Sequence, residues 1–267
     1  MTEKAMKQYL RLRITIAGIA MAAISLALSL PGFPADKEVY QLRIYTLGEQ
    51  RQAEVMDGYL RNAFIPALHR TGIERVGVFK LIDPADSLLV VLIPFNSMGH
   101  FGNLEDILIN DPKYLKEAEV FLGAPHDRPP YDRMESILLE AFDEMPEMAV
   151  PEHSTPRRDR VYELRSYEGP TETYYRRKVE MFNEGGEVAI FQKLGFQPVF
   201  FGTVISGASM PNLMYMTTFK DAGSQEKLWK TFRGHPDWAA IKDLEKYRNT
   251  VSHIDRTLFY PADYSDF

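Results

Sequence analysis

The sequence repeats itself, and this repeat constrains the fold more than any other feature. The segment Val39-Tyr-Gln-Leu-Arg-Ile-Tyr45 recurs as Val161-Tyr-Glu-Leu-Arg-Ser-Tyr167, 122 residues later. Further along, Asn110-Asp-Pro-Lys-Tyr114 corresponds to Gly234-His-Pro-Asp-Trp238, which begins 124 residues later. Landmarks in the same order at a nearly constant spacing predict that one unit has been duplicated within the chain.

The two halves show the same order of secondary-structure patterns. The first is predicted to contain strand 38–46, helix 50–70, strands 73–82 and 87–95, helix 97–121 and strand 131–141. The second is predicted to contain strand 160–168, helix 171–193, strands 196–206 and 211–219, helix 221–247 and strand 250–260. Pro66 predicts a kink or an early break in the first helix, and residues 83–86 predict a turn between two strands.

The order β-α-β-β-α-β is that of a ferredoxin-like unit. Its two helices cover one face of the sheet, so the other face needs a partner, which the second copy supplies. We therefore expect an α+β fold of two tandem ferredoxin-like halves, at residues 36–142 and 160–267, whose sheets pack face to face. Residues 143–159 contain three prolines and no apolar period, a composition typical of a linker.

The duplicated strand V-Y-[QE]-L-R-x-Y and the later [DH]-P-x-[YW] segment resemble the NIPSNAP family, over residues 38–260. The resemblance implies a dimeric α/β barrel, here formed by both halves of a single chain. It implies no settled reaction, because barrels of this fold include cofactor-free monooxygenases, isomerases and haem enzymes. The halves also differ at one position, since Gln41 stands where the second copy has Glu163.

The first 35 residues have the pattern of a targeting segment. Four basic residues, the last being Arg13, precede an apolar run over 14–30 that ends before Pro31. We expect a cleaved secretory signal and an exported protein; the alternative is an uncleaved anchor, with residues 14–30 as the membrane contact. Removing residues 1–35 takes away four basic residues and one acidic residue and leaves a formal net charge of −9. This charge argues against nucleic-acid binding.

A polar cluster is predicted on one face of the two repeated strands. Side chains alternate between the faces of a strand, and we expect the more apolar face to lie under the helices. The polar face would then place Arg43, Tyr45, Glu163, Arg165 and Tyr167 inside the barrel. The first interpretation is an ion-pair network that fixes how the halves dock. The second is a pair of arginines, with the tyrosines as donors, that binds a carboxylate or another anion. The third is simple exposure.

The last strand contributes a second candidate site. His253 and Asp255 share one face, and such a pair can act as a general base with an orienting carboxylate, although it is more often a solvated polar pair. The six histidines show no metal-ligand spacing, and the chain has no cysteine. We therefore predict no metal site and no cofactor.

The second half is rich in phenylalanine and methionine, which predicts either core packing or an apolar pocket between sheet and helices. Nucleotide-binding and hydrolase motifs are absent from the sequence. We therefore expect an exported protein that binds a small apolar or carboxylated ligand, or serves as an interaction module, and that forms homo-oligomers. The alternative is a cofactor-independent oxidoreductase or isomerase acting on a small apolar substrate.

Overall fold

The computed structural model describes residues 37–83 and 88–267. The predicted signal segment 1–35, including the apolar run 14–30, and turn residues 84–86 lie outside the described residues. Residues Lys37–Phe267 form one compact unit. Within the described part of the chain, no helix has both the length and the apolar character needed to cross a membrane.

Eight strands form a closed barrel in the order β1-β3-β2-β8-β5-β7-β6-β4. All eight pairs of neighbouring strands are antiparallel. Their bounds are β1 Val39–Thr46, β2 Gly77–Leu81, β3 Leu88–Phe95, β4 Arg133–Ala141, β5 Val161–Glu168, β6 Gln197–Ser206, β7 Asn212–Phe219 and β8 His253–Pro261. The predicted strands are all present among these.

The strand order β4-β1-β3-β2 of the first half recurs as β8-β5-β7-β6 in the second. The two sheets meet at their edges, where β2 pairs with β8 and β4 pairs with β6. This corrects the expectation of two separate sheets packed face to face. Edge pairing satisfies the outer backbone groups of all four edge strands, which two stacked sheets would leave open.

The helices follow the predicted pattern but are divided into shorter segments. Their bounds are α1 Gln50–Tyr59, α2 Ile65–Arg70, α3 Met98–Ile109, α4 Pro112–Glu117, α5 Glu119–Leu122, α6 Glu172–Phe182, α7 Glu187–Leu194, α8 Ala222–Gly234 and α9 Pro236–Lys242. A π-helical turn at Leu60–Phe64 joins α1 to α2, just before Pro66. Because proline lacks an amide hydrogen, a widened turn at this place accommodates it without a break.

Side chains of the described residues pack into three apolar layers. The barrel interior is filled from both halves, with residues such as Tyr40, Leu42, Tyr162 and Leu164. Each half has its own second layer between the outer face of its sheet and its helices. The two copies thus share one core and keep separate outer layers.

Residues 143–159 cover one end of the barrel. Met148 is buried in the interior layer, and its backbone amide donates to the carboxylate of Glu38 at 2.6 Å. Arg75 bridges the same Glu38 and the carbonyl oxygen of Met148. Phe267 packs against Phe79 in the same layer. A segment with linker composition is therefore tied into the core.

Candidate functional site

The first half contains a cavity of about 550 Å³ between the outer face of its sheet and its helices. Strands β1 and β4 supply the floor, and α1, α3, α4 and α5 supply the walls. This volume is within the range of small-molecule sites in proteins. Polar and aromatic side chains and one glycine make up much of the lining: Gln41, Arg43, Tyr45, Tyr59, Phe64, Gly102, Glu105, Tyr114, Phe121, Tyr131 and Ser136.

Arg43 is the cation of this cavity. Its Nε donates a hydrogen bond of 3.0 Å to Oε1 of Gln41, and Nε2 of Gln41 donates to Oγ of Ser136 at 2.7 Å. The guanidinium lies 4.8 Å from the centre of the Phe64 ring. Arg43 forms no ion pair with any described residue, so its charge is met by neutral groups and an aromatic face.

Tyrosines form the remaining polar lining. The hydroxyl groups of Tyr59 and Tyr114 lie 2.9 Å apart, and the Tyr59 ring is stacked on Phe121 at 3.7 Å. Burial raises the pKa of Tyr59 and of Tyr45, and for Tyr45 the Arg43 guanidinium opposes that rise. Both phenols therefore stay protonated at neutral pH, which suits hydrogen-bond donation rather than proton abstraction.

The mouth of the cavity combines one acid with exposed apolar side chains. Glu105 on α3 is exposed at the rim. Around it, Ile109, Leu115, Leu122 and Met134 are each more than two-fifths exposed. Exposed apolar groups rimming a concave site are typical of ligand entrances.

The corresponding place in the second half is filled by side chains. Arg165 donates to Oε1 of Glu163 at 2.7 Å, and its guanidinium lies 3.8 Å from the Trp229 ring. Glu163 is fully buried, and its Oε2 accepts hydrogen bonds of 2.7 Å from both Trp229 Nε1 and Gln225 Nε2. These three hydrogen bonds satisfy both oxygens of the Glu163 carboxylate within the protein, as a structural ion pair requires.

Tyr167 completes this second cluster. Its hydroxyl accepts from Arg165 Nη1 at 3.1 Å and lies 3.0 Å from the hydroxyl of Tyr215. Burial disfavours the charge of Arg165, but Tyr215, Tyr167 and Glu163 outweigh it and raise the guanidinium pKa. The charge of Arg165 is thus held in place by its neighbours.

A second buried ion pair lies in the same layer. Lys178 Nζ donates to Glu187 Oε2 at 2.7 Å, and both side chains are almost completely buried. Burial raises the pKa of Glu187, and the ammonium of Lys178 opposes that rise. This pair was not predicted, because both residues fall within the predicted helix 171–193 and their mutual contact is not visible in the sequence.

The predicted cluster lies on the opposite face of the sheet from the expected one. Tyr45 and Tyr167 pack in the outer layers under the helices, whereas Tyr40 and Tyr162 occupy the barrel interior. The structure brings Glu163, Arg165 and Tyr167 together, and it keeps Arg43 and Tyr45 apart from them in the other outer layer. The physical reason is that side chains from both halves pack together in the barrel interior, so it takes the face of β1 and of β5 that carries no charged side chain.

His253 and Asp255 lie at one end of the barrel on its inner face. His253 Nε2 is 3.0 Å from Asp255 Oδ1, and both side chains are more than half exposed. Glu168, which is opposite His253 on β5, brings a third donor, and one ligand atom from each residue lies within 4.8 Å of the others. The group has the donor chemistry for a divalent cation, and Asp255 also lines a cavity of about 230 Å³ at this end of the barrel.

The phenylalanine-rich set of the second half is core. Phe182, Phe191, Phe196, Phe201 and Phe219 pack in the outer layer, and Phe200, Met214 and Met216 face the barrel interior. A cavity of about 530 Å³ does lie beside α8 in the second half, but none of these phenylalanines except Phe219 lines it. Sequence reasoning missed Tyr59, Glu105, Tyr114 and Phe121; the available signal was the repeat itself, which aligns Glu105 with Trp229.

The chain was compared with known proteins. The model of the NIPSNAP family matches residues 162–266, which confirms the resemblance there. No curated protein has a significant match to the sequence. Three solved structures share the fold at low sequence identity.

A candidate monooxygenase of Fusobacterium nucleatum has a TM-score of 0.55 at 10% identity, over 84% of this chain and 92% of that chain. A candidate monooxygenase of Lactobacillus acidophilus has a TM-score of 0.52 at 10% identity, over 84% and 94%. An anthrone oxidase-like protein has a TM-score of 0.52 at 13% identity, over 87% and 94%. At these identities the likeness concerns the fold alone. Over residues 162–266, this mixed α/β barrel is therefore similar to the NIPSNAP family.

Proposed function

We propose that the first half binds a small, largely apolar molecule in the cavity beside Arg43. One observation carries the proposal: a space of about 550 Å³ is lined by aromatic rings and opens through exposed apolar side chains. If the outer layer of the first half served packing alone, we would expect side chains to fill this space, because protein interiors are close-packed. In the second half, side chains around Trp229 do fill the corresponding space.

The proposal includes the duplication. We infer that residues 36–142 and 160–267 are tandem ferredoxin-like units joined by residues 143–159. The recurring strand order supports this, and so do the helix starts. Ser97 and Asp221 are 124 residues apart, and each caps the helix that follows it by accepting from the backbone amide three residues on.

The test is calorimetric titration of the purified protein with 2-naphthol, a neutral aromatic probe of suitable size. Two variants should block the cavity. Glu105→Trp installs the residue of the second half, and Gly102→Phe adds a ring where a Cβ meets nothing within 4 Å. The control is Asp106→Trp, which makes the same charge change on the same helix at an exposed position that does not line the cavity.

We expect the wild type and Asp106→Trp to bind 2-naphthol alike, and both blocking variants to lose at least about tenfold in affinity. Equal binding by all four proteins would place the probe elsewhere and would overturn the proposal. Circular dichroism and thermal unfolding of each variant verify that the fold is intact, and the two independent blocking positions guard against a local failure of one.

A second candidate is cofactor-independent oxidation or isomerisation of the bound molecule. Its support is the fold likeness to two candidate monooxygenases and an anthrone oxidase-like protein, together with protonated tyrosines beside the cavity. An oxygen electrode, run with the protein and 2-naphthol or a dihydroxynaphthalene, tests it. Oxygen consumption above the uncatalysed rate that Gly102→Phe abolishes would establish oxidation, and its absence would rule out oxidation of these two probes.

We also propose export, on the pattern of residues 1–35 alone. The full chain is expressed in a bacterium, and intact mass is measured in the periplasmic and membrane fractions. A mass lacking about 30 to 35 residues in the periplasm supports a cleaved signal. A full-length chain in the membrane supports the anchor, and a full-length chain in the cytoplasm contradicts export.

A further inference from the structure

The second half shows which groups surround the equivalent arginine when the space beside it is filled by side chains. The two helices that start at equivalent caps put Glu105 and Trp229 at the same place, the eighth residue of α3 and of α8. In the repeated strands, Gln41 corresponds in sequence to Glu163, and Arg43 corresponds to Arg165. The arginine is therefore shared by both halves, whereas its carboxylate and its indole neighbour occur only in the second.

The missing groups of the first half are those that neutralise and cover the arginine. In the second half a carboxylate lies 2.7 Å from the guanidinium nitrogen, an indole lies 3.8 Å from the guanidinium carbon, and the indole N–H is bonded to that same carboxylate. A single molecule that combines a carboxylate and an aromatic ring would supply both groups at once.

From this comparison we propose that the cavity of the first half selects a small aromatic monocarboxylate. Its carboxylate binds the guanidinium of Arg43, and its ring takes the place that Trp229 occupies in the other half. This inference rests on the proposed function, since it names the ligand class of the same cavity.

The chemistry of the cavity fits this class. A partly buried guanidinium prefers a planar carboxylate, because the two can form parallel charge-assisted hydrogen bonds. Phe64, Phe121 and Tyr131 offer ring faces and edges for an aromatic body. The phenol of Tyr45, which remains protonated, is beside the same guanidinium and can donate to the anion.

The rim explains why one carboxylate is preferred to two. Glu105 lies at the cavity mouth, where a second carboxylate of a longer ligand would face it. Like charges at a partly shielded position repel each other. The lining thus favours one negative charge at the floor and an apolar body towards the mouth.

The experiment uses two probes of matched size, 2-naphthoate and 2-naphthol, titrated calorimetrically at pH 7 into the full chain. We expect 2-naphthoate to bind at least about tenfold more tightly than 2-naphthol, the gain typical of a charge-assisted hydrogen bond. Gln41→Glu supplies the internal carboxylate of the second half, and Arg43→Gln removes the charge. Each should reduce naphthoate affinity by about tenfold or more, and by a larger factor than it changes naphthol affinity.

Lys220→Gln is the charge control, because it removes one exposed positive charge from a residue that does not line the cavity. It should change neither affinity by more than about twofold. Thermal unfolding of each variant confirms that it is folded.

The outcomes separate the two proposals. If both probes bind with the same affinity, and Arg43→Gln affects neither, the anion inference is overturned while the cavity remains a binding site. If neither probe binds the wild type, both proposals are overturned. If Lys220→Gln weakens naphthoate as much as Arg43→Gln does, the preference comes from overall charge and the inference is wrong.

Discussion

Arg43 Nε donates a hydrogen bond of 3.0 Å to the amide oxygen of Gln41. In the second half, the equivalent bond runs from Arg165 to the carboxylate of Glu163 at 2.7 Å. At the same place in the repeat, the arginine of the first half therefore has a neutral amide as its partner, and the arginine of the second half has a charged carboxylate. The first half keeps a guanidinium whose charge is uncompensated by described residues, and the second half uses its guanidinium for packing.

Removing the buried carboxylate of the second half should destabilise the protein. Glu163→Gln leaves Arg165, which is only 14% exposed, without its counter-charge. We expect the free energy of unfolding to fall by about 3 kcal/mol, measured by urea denaturation. Asp237→Asn, which breaks the exposed pair with Lys193, is the control and should change little. An equally small effect of both variants would show that Glu163 is not a structural anion.

The tyrosine pair beside the cavity should behave as a coupled unit. Tyr114→Phe leaves the buried hydroxyl of Tyr59 without its partner at 2.9 Å. We expect a loss of about 1–2 kcal/mol in the free energy of unfolding. Adding Tyr59→Phe should cost less than the sum of the two single losses, because no hydroxyl is then left unpaired. Strict additivity in this double-mutant cycle would contradict the hydrogen bond.

Stability should depend on pH through Asp111, which anchors α4 and with it Tyr114. The Arg70 hydrogen bond at 3.0 Å, and the backbone amides of Tyr114 and Lys113, lower the pKa of Asp111 below its usual value of 3.8. Because the folded-state pKa is the lower one, the stabilisation is fully present above pH 3.8 and is lost as pH falls through the folded value.

Asp111→Asn is the variant that isolates this charge, since asparagine keeps the helix cap. Its unfolding free energy should lie below that of the wild type at pH 7, and the difference should shrink as the pH is lowered below 3.8. Urea denaturation at four or five pH values measures the difference. A gap that stays constant with pH would mean that the carboxylate charge contributes nothing.

The closed end of the barrel should depend on Phe267. This ring packs against Phe79 at 5.4 Å and Tyr162 at 6.0 Å between ring centres, inside the shared layer. Phe267→Ala should lower the free energy of unfolding by about 3–5 kcal/mol. Val120→Ala, at an exposed position, is the control and should change it by less than about 0.5 kcal/mol. Similar values for the two would mean that the C-terminal residue does not seal the core.

Much of the fold could be predicted from the repeat. The segment Val39–Tyr45 and its copy set the first strand of each half, and the strand positions follow from alternation and spacing. The orientation of those strands could not be predicted, because both faces carry apolar residues. Arg43 buries its stem and lies over Phe64 under the helices, so a polar residue in the pattern does not mark the barrel interior.

The candidate site was less predictable. Gln41 against Glu163 is visible in the sequence, but its meaning depends on Trp229 reaching Arg165 from a helix 64 residues further along the chain. The contact of Tyr59 with Tyr114 links residues 55 positions apart in the same way. The periodicity of apolar residues predicts which face of a helix is buried. It does not predict which residue of another element that face contacts, so these contacts become visible only in the structure.

We infer that the arginine of the first half is open to an anion and that the arginine of the second half is not. Anomalous diffraction from crystals grown with 6-bromo-2-naphthoate tests this inference. We expect a bromine peak in the first-half cavity, with the carboxylate within hydrogen-bond distance of Arg43, and no peak beside Arg165. A peak beside Arg165, or a ligand in the first half with its carboxylate turned away from Arg43, would contradict it.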